Sequence, residues 1–258
     1  MTAEHGPETP QAEASLLSHL VELRNRLLRA VVVILVIFIG LAPFADALFA
    51  LVAEPLMSQL PEGTSMIATQ VASPFLTPFK TAMVGAIFLS MPWLLYQVWA
   101  FVAPGLYQQE KRLAMPLVIT SALLFYGGVA FAYFVVFPLM FAFFTAVAPE
   151  GVAVMTDINA YLDFILTLFF AFGLAFEVPI ATVLMVWAGF TTPAKLASKR
   201  AYVLLGAFVF GMLLTPPDVI SQTLLAVPVY ILYEAGIVMA RVLVPGHREV
   251  EQQQSEGT

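Results

Sequence analysis

The chain has 258 residues, of which 60% are hydrophobic and only 11% are Asp, Glu, Lys or Arg, with a formal net charge of −6 and no cysteine. A soluble domain carries about 25% charged residues because its surface faces water, so this composition excludes one. Without cysteine there are no disulfides.

The apolar residues come in runs, such as Val31 to Ala42, Met115 to Ala148 and Leu166 to Phe190. Such runs match a hydrocarbon core of about 30 Å at about 1.5 Å rise per residue. A membrane β-barrel would instead alternate over segments of roughly ten residues. The expected fold class is an all-α polytopic membrane protein.

Residues 1–14 hold Glu4, Glu8 and Glu13 with no base and little apolar content, and are expected to be a disordered acidic leader. From Ser15, a candidate N-cap, Leu16, Leu20, Leu23 and Leu27 recur at helical spacing, which predicts an amphipathic helix feeding a first span over about Leu28 to Leu51. The acidic leader and the spans that follow favour a retained span over a cleavable signal peptide. An outer segment, Ala53 to Thr77, precedes a second span over about Pro78 to Ala103, and a short polar turn with Glu110, Lys111 and Arg112 follows. The third span covers about Leu113 to Thr145 and the fourth about Phe164 to Phe190, ahead of a basic turn with Lys195, Lys199 and Arg200. The fifth, Tyr202 to Leu214, reaches only roughly 20 Å. Thr215-Pro216-Pro217-Asp218 makes a tight turn into a sixth span from Val219 to Leu232 or a little beyond. The expected organisation is a leader over 1–14, a six-helix membrane domain over 15–242 and a polar tail over 243–258.

With the N-terminus cytoplasmic, every base except Lys80 falls on the inner side. The positive-inside rule then places both termini in the cytoplasm.

Motifs for common chemistries are absent: no GxxxxGK[ST] loop, no HExxH pair, no GxSxG elbow and no GxGxxG fingerprint. The three histidines, His5, His19 and His247, are scattered along the chain. The chain is expected to be no enzyme and to carry no cofactor or metal, so any work draws on a partner or on the transmembrane gradient.

Three polar sets remain. Glu22 and Glu110 share the cytoplasmic side, where each carboxylate can either accept an arginine fork or pair locally, Glu22 with Arg26 and Glu110 with Lys111 or Arg112. Glu177 sits mid-span in Ala-Phe-Glu-Val-Pro, where an ionised carboxylate is costly; it reads either as a proton relay or polar groove, or as a neutral acid bonded to a neighbouring span. Pro179 frees a carbonyl one turn earlier and can open the helix there. Met212, Thr215 and Gln222 flank the turn between the last two spans and offer either a patch to another transmembrane helix or ordinary intrachain bonds. Trp99, Phe101 and Tyr107 read first as interfacial anchors.

Several stretches together carry a resemblance: HLVELRNRL at His19 to Leu27, MIATQVASPF at Met66 to Phe75, YQVWAFVAPGLYQQEKR at Tyr96 to Arg112, FAYFVVFP at Phe131 to Pro138, FEVP at Phe176 to Pro179, and GMLLTPPDVISQ at Gly211 to Gln222. From Ser18 to about Arg241 the chain resembles the TatC subunit of the twin-arginine protein translocase. The resemblance implies six helices in a concave, glove-like arrangement with both termini cytoplasmic, in a bacterial inner membrane. It implies a receptor for folded precursor proteins whose N-terminal signals carry paired arginines, with export driven by the proton motive force. By the same resemblance Glu22 and Glu110 recognise the signal, Arg24 matches a position the family uses, and Phe101 lies beside the signal site. Glu177 matches the polar residue of the concave face. Met212, Thr215 and Gln222 match a docking patch for single-span TatA- and TatB-type subunits, and Pro55 and Asp218 belong to the outer cap. A homo-oligomeric complex, contact with membrane lipids and no nucleic-acid partner are also expected. The competing reading is a proton-coupled small-solute transporter that uses Glu177.

Overall fold

The computed structural model describes residues 10–58, 65–102, 114–147, 155–214 and 218–244. The described backbone is helical apart from short connections and one isolated bridge between Ile67 and Asp157. Helix α1 spans Pro10–Leu41, a 3₁₀ turn covers Ala42–Phe44, and α2 spans Ala45–Met57. Helix α3 is Ser73–Val102, α4 is Ala114–Phe131, and a π-helical segment, Ala132–Val136, joins α4 to α5, Phe137–Val147. Helices α6, Ile158–Ala175, and α7, Val178–Trp187, together make one crossing; α8 is Pro193–Ser198, α9 is Arg200–Leu214 and α10 is Val219–Leu243. Among the described residues five stretches are long and apolar enough to cross a membrane: Leu20–Met57, Ser73–Phe101, Met115–Phe144, Ile158–Trp187 and Val219–Leu243; the shorter apolar α9 adds a candidate sixth.

The start of the chain differs from expectation. Helix α1 begins at Pro10, a residue suited to a first helical position because it has no N–H to lose. Residues 10–14, assigned to the disordered leader, are therefore helical, and Ser15 lies within the helix instead of capping it. Residues 1–9 lie outside the described residues. The amphipathic segment and the first span are one uninterrupted helix, and Leu20, Leu23 and Leu27 of the apolar stripe are exposed.

The sixth span differs too. Helix α10 has 25 residues and rises roughly 37 Å, whereas α9 has 15 and rises roughly 22 Å. The guanidinium of Arg200, at the start of α9, donates to both Glu234 carboxylate oxygens, at 2.5 and 2.8 Å, so α10 runs past the beginning of its hairpin partner by more than two turns.

We call the end holding the N-terminal part of α1 proximal and the opposite end distal. Asp157 caps α6 at the distal end, accepting from the amides of Asn159 and Ala160, and also accepts from the Thr69 amide and hydroxyl. Lys80 of α3 pairs there with Asp163 of α6. Helix α7 ends on Gly189, whose φ of 74° favours glycine; the Gly189 amide bonds the Val186 carbonyl and the Phe190 amide the Met185 carbonyl, closing the helix.

Packing follows the small residues. Gly128 of α4 lies against the Phe172 backbone, where a Cβ would come within 2.4 Å of the carbonyl oxygen, and Gly236 of α10 lies against Thr182 and Pro179 of α7. Small residues let transmembrane helices approach this closely. The main core joins α2, the π segment, α5 and α6 around Phe137, Phe169, Phe172 and Tyr161. Helix α1 packs chiefly on α3, and α9 chiefly on α10, so these two helices form the margins of the bundle.

Candidate functional site

Of the four expected signal-site residues, three are described, and they lie at the proximal end. The Arg26 guanidinium joins α1 to α3: it donates to Gln97 Oε1 at 3.0 Å and to the Ala100 carbonyl at 3.2 Å, on a segment more than seventy residues away. The same group donates through Nε and Nη2 to Glu22 Oε1 at 3.0 and 2.6 Å. The i,i+4 pairing of Glu22 with Arg26 is therefore formed, yet it uses one carboxylate oxygen. Glu22 Oε2 has no partner among the described residues, and the side chain is 42% exposed. Phe101 follows Ala100 and is half-buried at the same end of α3. Arg24 is exposed and reaches Asn25 Oδ1 at 3.4 Å. Glu110 lies outside the described residues, as do Lys111 and Arg112.

Glu177 occupies the break between α6 and α7. Pro179 cannot donate to the Ala175 carbonyl, and the chain turns through Phe176 and Glu177 before helix resumes at Val178. Before the break the chain packs on α4; after it, on α10. Glu177 faces Ser121 of α4, a fully buried residue whose Oγ accepts from Trp99 Nε1 of α3 at 3.2 Å. Glu177 Oε1 is buried and has no hydrogen-bond partner among the described residues. Three helices thus converge on one intramembrane carboxyl that keeps an open acceptor.

In the α9–α10 hairpin, Met212 is exposed and Gln222 is half-buried against Gly211, where a Cβ would sit 3.6 Å from the Gln222 backbone. Thr215 lies outside the described residues. Asp218 caps α10 through a 2.7 Å bond from the Ser221 amide, while its Oδ2 and the Ser221 Oγ are buried without partners among the described residues. Pro55 sits inside α2, and its missing N–H leaves the Leu51 carbonyl without a helical donor.

The sequence reading missed Arg26 as a tie between helices, and it missed the convergence of Trp99 and Ser121 on Glu177. Both depend on contacts across separate spans; the buried Gln97 and the intramembrane Ser121 are the signals that point to them.

The family model described as Sec-independent protein translocase protein (TatC) matches residues 18–228. The chain belongs to the TatC family. It is 61% identical to the Sec-independent protein translocase protein TatC of Azotobacter chroococcum mcd 1 over 237 residues, covering 92% of each chain. It is 56% identical to the TatC of Escherichia coli strain K12, again covering 92% of each. The crystal structure of a twin-arginine translocase receptor, TatC, superposes with a TM-score of 0.78 at 36% identity, covering 87% of this chain and 98% of that one. These matches support a translocase component, and they favour it over a small-solute transporter or an enzyme.

Proposed function

We propose that this TatC-family protein is the receptor subunit of a twin-arginine translocation system, binding the paired-arginine signals of folded precursor proteins. The observation that carries the reading is Glu22: its carboxylate already accepts an arginine fork through one oxygen and leaves the other open at an exposed site. A charge-assisted contact of this kind contributes about 1.5–3 kcal/mol when well formed, and the guanidinium fork suits it better than a lysine ammonium. Glu110 supplies the second carboxylate, with Phe101 and Arg24 beside the signal.

The distribution of bases supports an orientation with both termini cytoplasmic, in the bacterial inner membrane. Single-span TatA- and TatB-type subunits dock at Met212, Thr215 and Gln222, and several copies of the chain assemble in the working complex. From Val219 to Glu234, the level set by Arg200, α10 rises roughly 24 Å, comparable to α9 and short of a hydrocarbon core of about 30 Å. A hairpin of that height thins the bilayer beside it. The drive is the proton motive force, whose potential supplies about 2.3 kcal/mol per charge per 100 mV.

Export of a folded reporter carrying a twin-arginine signal tests the reading. Glu110→Ala should abolish export while Glu177→Gln leaves a substantial fraction; the opposite order would favour a proton relay at Glu177.

A further inference from the structure

A cavity of about 590 Å³ opens in the distal half of the bundle between α2, α3, α4 and α6. Its wall is apolar, built from side chains such as Leu48, Val84, Phe88, Val129, Leu166 and Phe169. Polar groups enter it at few points. Glu54 of α2 is exposed and lies beside the Tyr133 hydroxyl, and it has no ion pair among the described residues. Thr81 also lines the cavity, and the neighbouring Lys80 has its charge taken by Asp163.

Hydrogen bonds join the helices of the cavity wall. Helices α2 and α3 carry internal prolines at Pro55 and Pro92, and the carbonyls these prolines release, Leu51 and Phe88, accept from the hydroxyls of Tyr133 and Tyr126 at 3.1 and 2.9 Å. Both tyrosines and both carbonyl-bearing residues line the cavity, so these bonds fix its walls to one another.

Volume selects the occupant. A helix with its side chains is about 10–12 Å across, so one turn fills roughly 500 Å³. The space takes little more than one turn, so a signal or partner helix would lie largely outside it, across its mouth. In a bilayer, the apolar chain of smaller cross-section is a lipid acyl chain. The unpaired carboxylate at the rim selects the headgroup, because an ammonium is the complement it lacks.

We propose that this cavity binds one acyl chain of a phospholipid whose headgroup carries an amine, with that amine on Glu54. The lipid is a ligand of the protein at a site separate from the proximal signal surface and from the α9–α10 patch.

The test uses the full chain in nanodiscs containing phosphatidylethanolamine with a photoreactive acyl chain, compared with phosphatidylglycerol carrying the same chain. Expected is labelling concentrated on Val84, Phe88 and Val129, stronger for the ethanolamine lipid by about two- to fivefold, as suits one exposed charge pair. Glu54→Gln should bring the two lipids to parity. Gly85→Leu should lower labelling of the strip by both, since a Cβ there meets the Leu41 and Leu48 side chains at 3.6 and 3.9 Å and leaves the rest of the new side chain to fill the space. Labelling of the strip no stronger than at exposed Ile119 and Leu205, or no change in lipid preference in Glu54→Gln, would overturn the proposal. Glu54 is exposed, so that variant carries the test should Gly85→Leu fail to fold.

Discussion

The Tyr133 hydroxyl donates to the Leu51 carbonyl across 3.1 Å, and that carbonyl is the one Pro55 leaves without a helical donor. Tyr126 does the same for Phe88, the carbonyl released by Pro92, at 2.9 Å. Two proline kinks are thus satisfied by tyrosines from the neighbouring crossing. Removing such a donor inside a membrane protein leaves an unpaired acceptor, at a cost of about 1–2 kcal/mol. Tyr133→Phe should lower stability by that amount in the native chain and by much less in a Pro55→Ala background, where the restored N–H takes over. A double-mutant cycle by denaturant unfolding in detergent measures the coupling; equal costs in both backgrounds would contradict it.

The close approaches of the helices give a second prediction. Gly128→Ala places a methyl 2.4 Å from the Phe172 carbonyl oxygen, which is backbone and cannot swing away, whereas Gly206→Ala meets nothing within 4 Å. The first should destabilise by about 1–3 kcal/mol and the second should be neutral or slightly stabilising. Thermal unfolding of the two variants decides.

At the distal end, the Asp157 carboxyl is held down at about 2, below its ordinary 3.8, first by the hydrogen bond from the Thr69 hydroxyl and then by the backbone amides of Ala160 and Thr69. A carboxyl with a depressed folded value contributes its hold above its ordinary value and loses it as pH falls through the folded one. The Ile67 to Thr69 segment should therefore stay fixed from neutral pH to about 4 and loosen toward about 2. A spin label at Ala68 reports this, and Asp157→Asn should loosen the segment already at neutral pH. Loosening of the native chain between pH 7 and 5 would count against it.

The tie between α1 and α3 predicts a separation of roles at the proximal end. Arg26→Gln removes the donors to Glu22, Gln97 and Ala100 together, so the start of α1 should move away from α3. Distances between spin labels at Val21 and Val98 should broaden and lengthen in this variant. In Glu22→Gln, which keeps the bonds from Arg26 to α3, they should stay close to native.

The spans through the fourth, and the short fifth, are legible in the sequence because each is an apolar run bounded by prolines, acids or bases. The break at Glu177 is legible as well, since Pro179 removes a specific donor. The length of α10 is not: Glu234 and Arg241 interrupt the apolar pattern, and only the pairing of Glu234 with Arg200 across the hairpin shows why a charge stands within the helix. The π segment at Ala132–Val136 has no local signature beyond Pro138 just after it. For the candidate site, residue types and family motifs single out Glu22, Glu177 and Gln222, and helical spacing pairs Glu22 with Arg26, but nothing local shows Arg26 as a tie to α3. Its partners at Gln97 and Ala100 lie in another span, and no periodicity links them.

The proposed function rests on Glu22 and Glu110 reading paired arginines. Its most direct test is crosslinking of a photoreactive twin-arginine signal peptide to this protein in membranes, compared with the same peptide carrying Lys-Lys. Expected is strong labelling around Glu22 and Glu110 by the arginine peptide, lost with Lys-Lys and lost in the Glu22→Gln, Glu110→Gln double variant. Equal labelling of both neighbourhoods by the two peptides would contradict it.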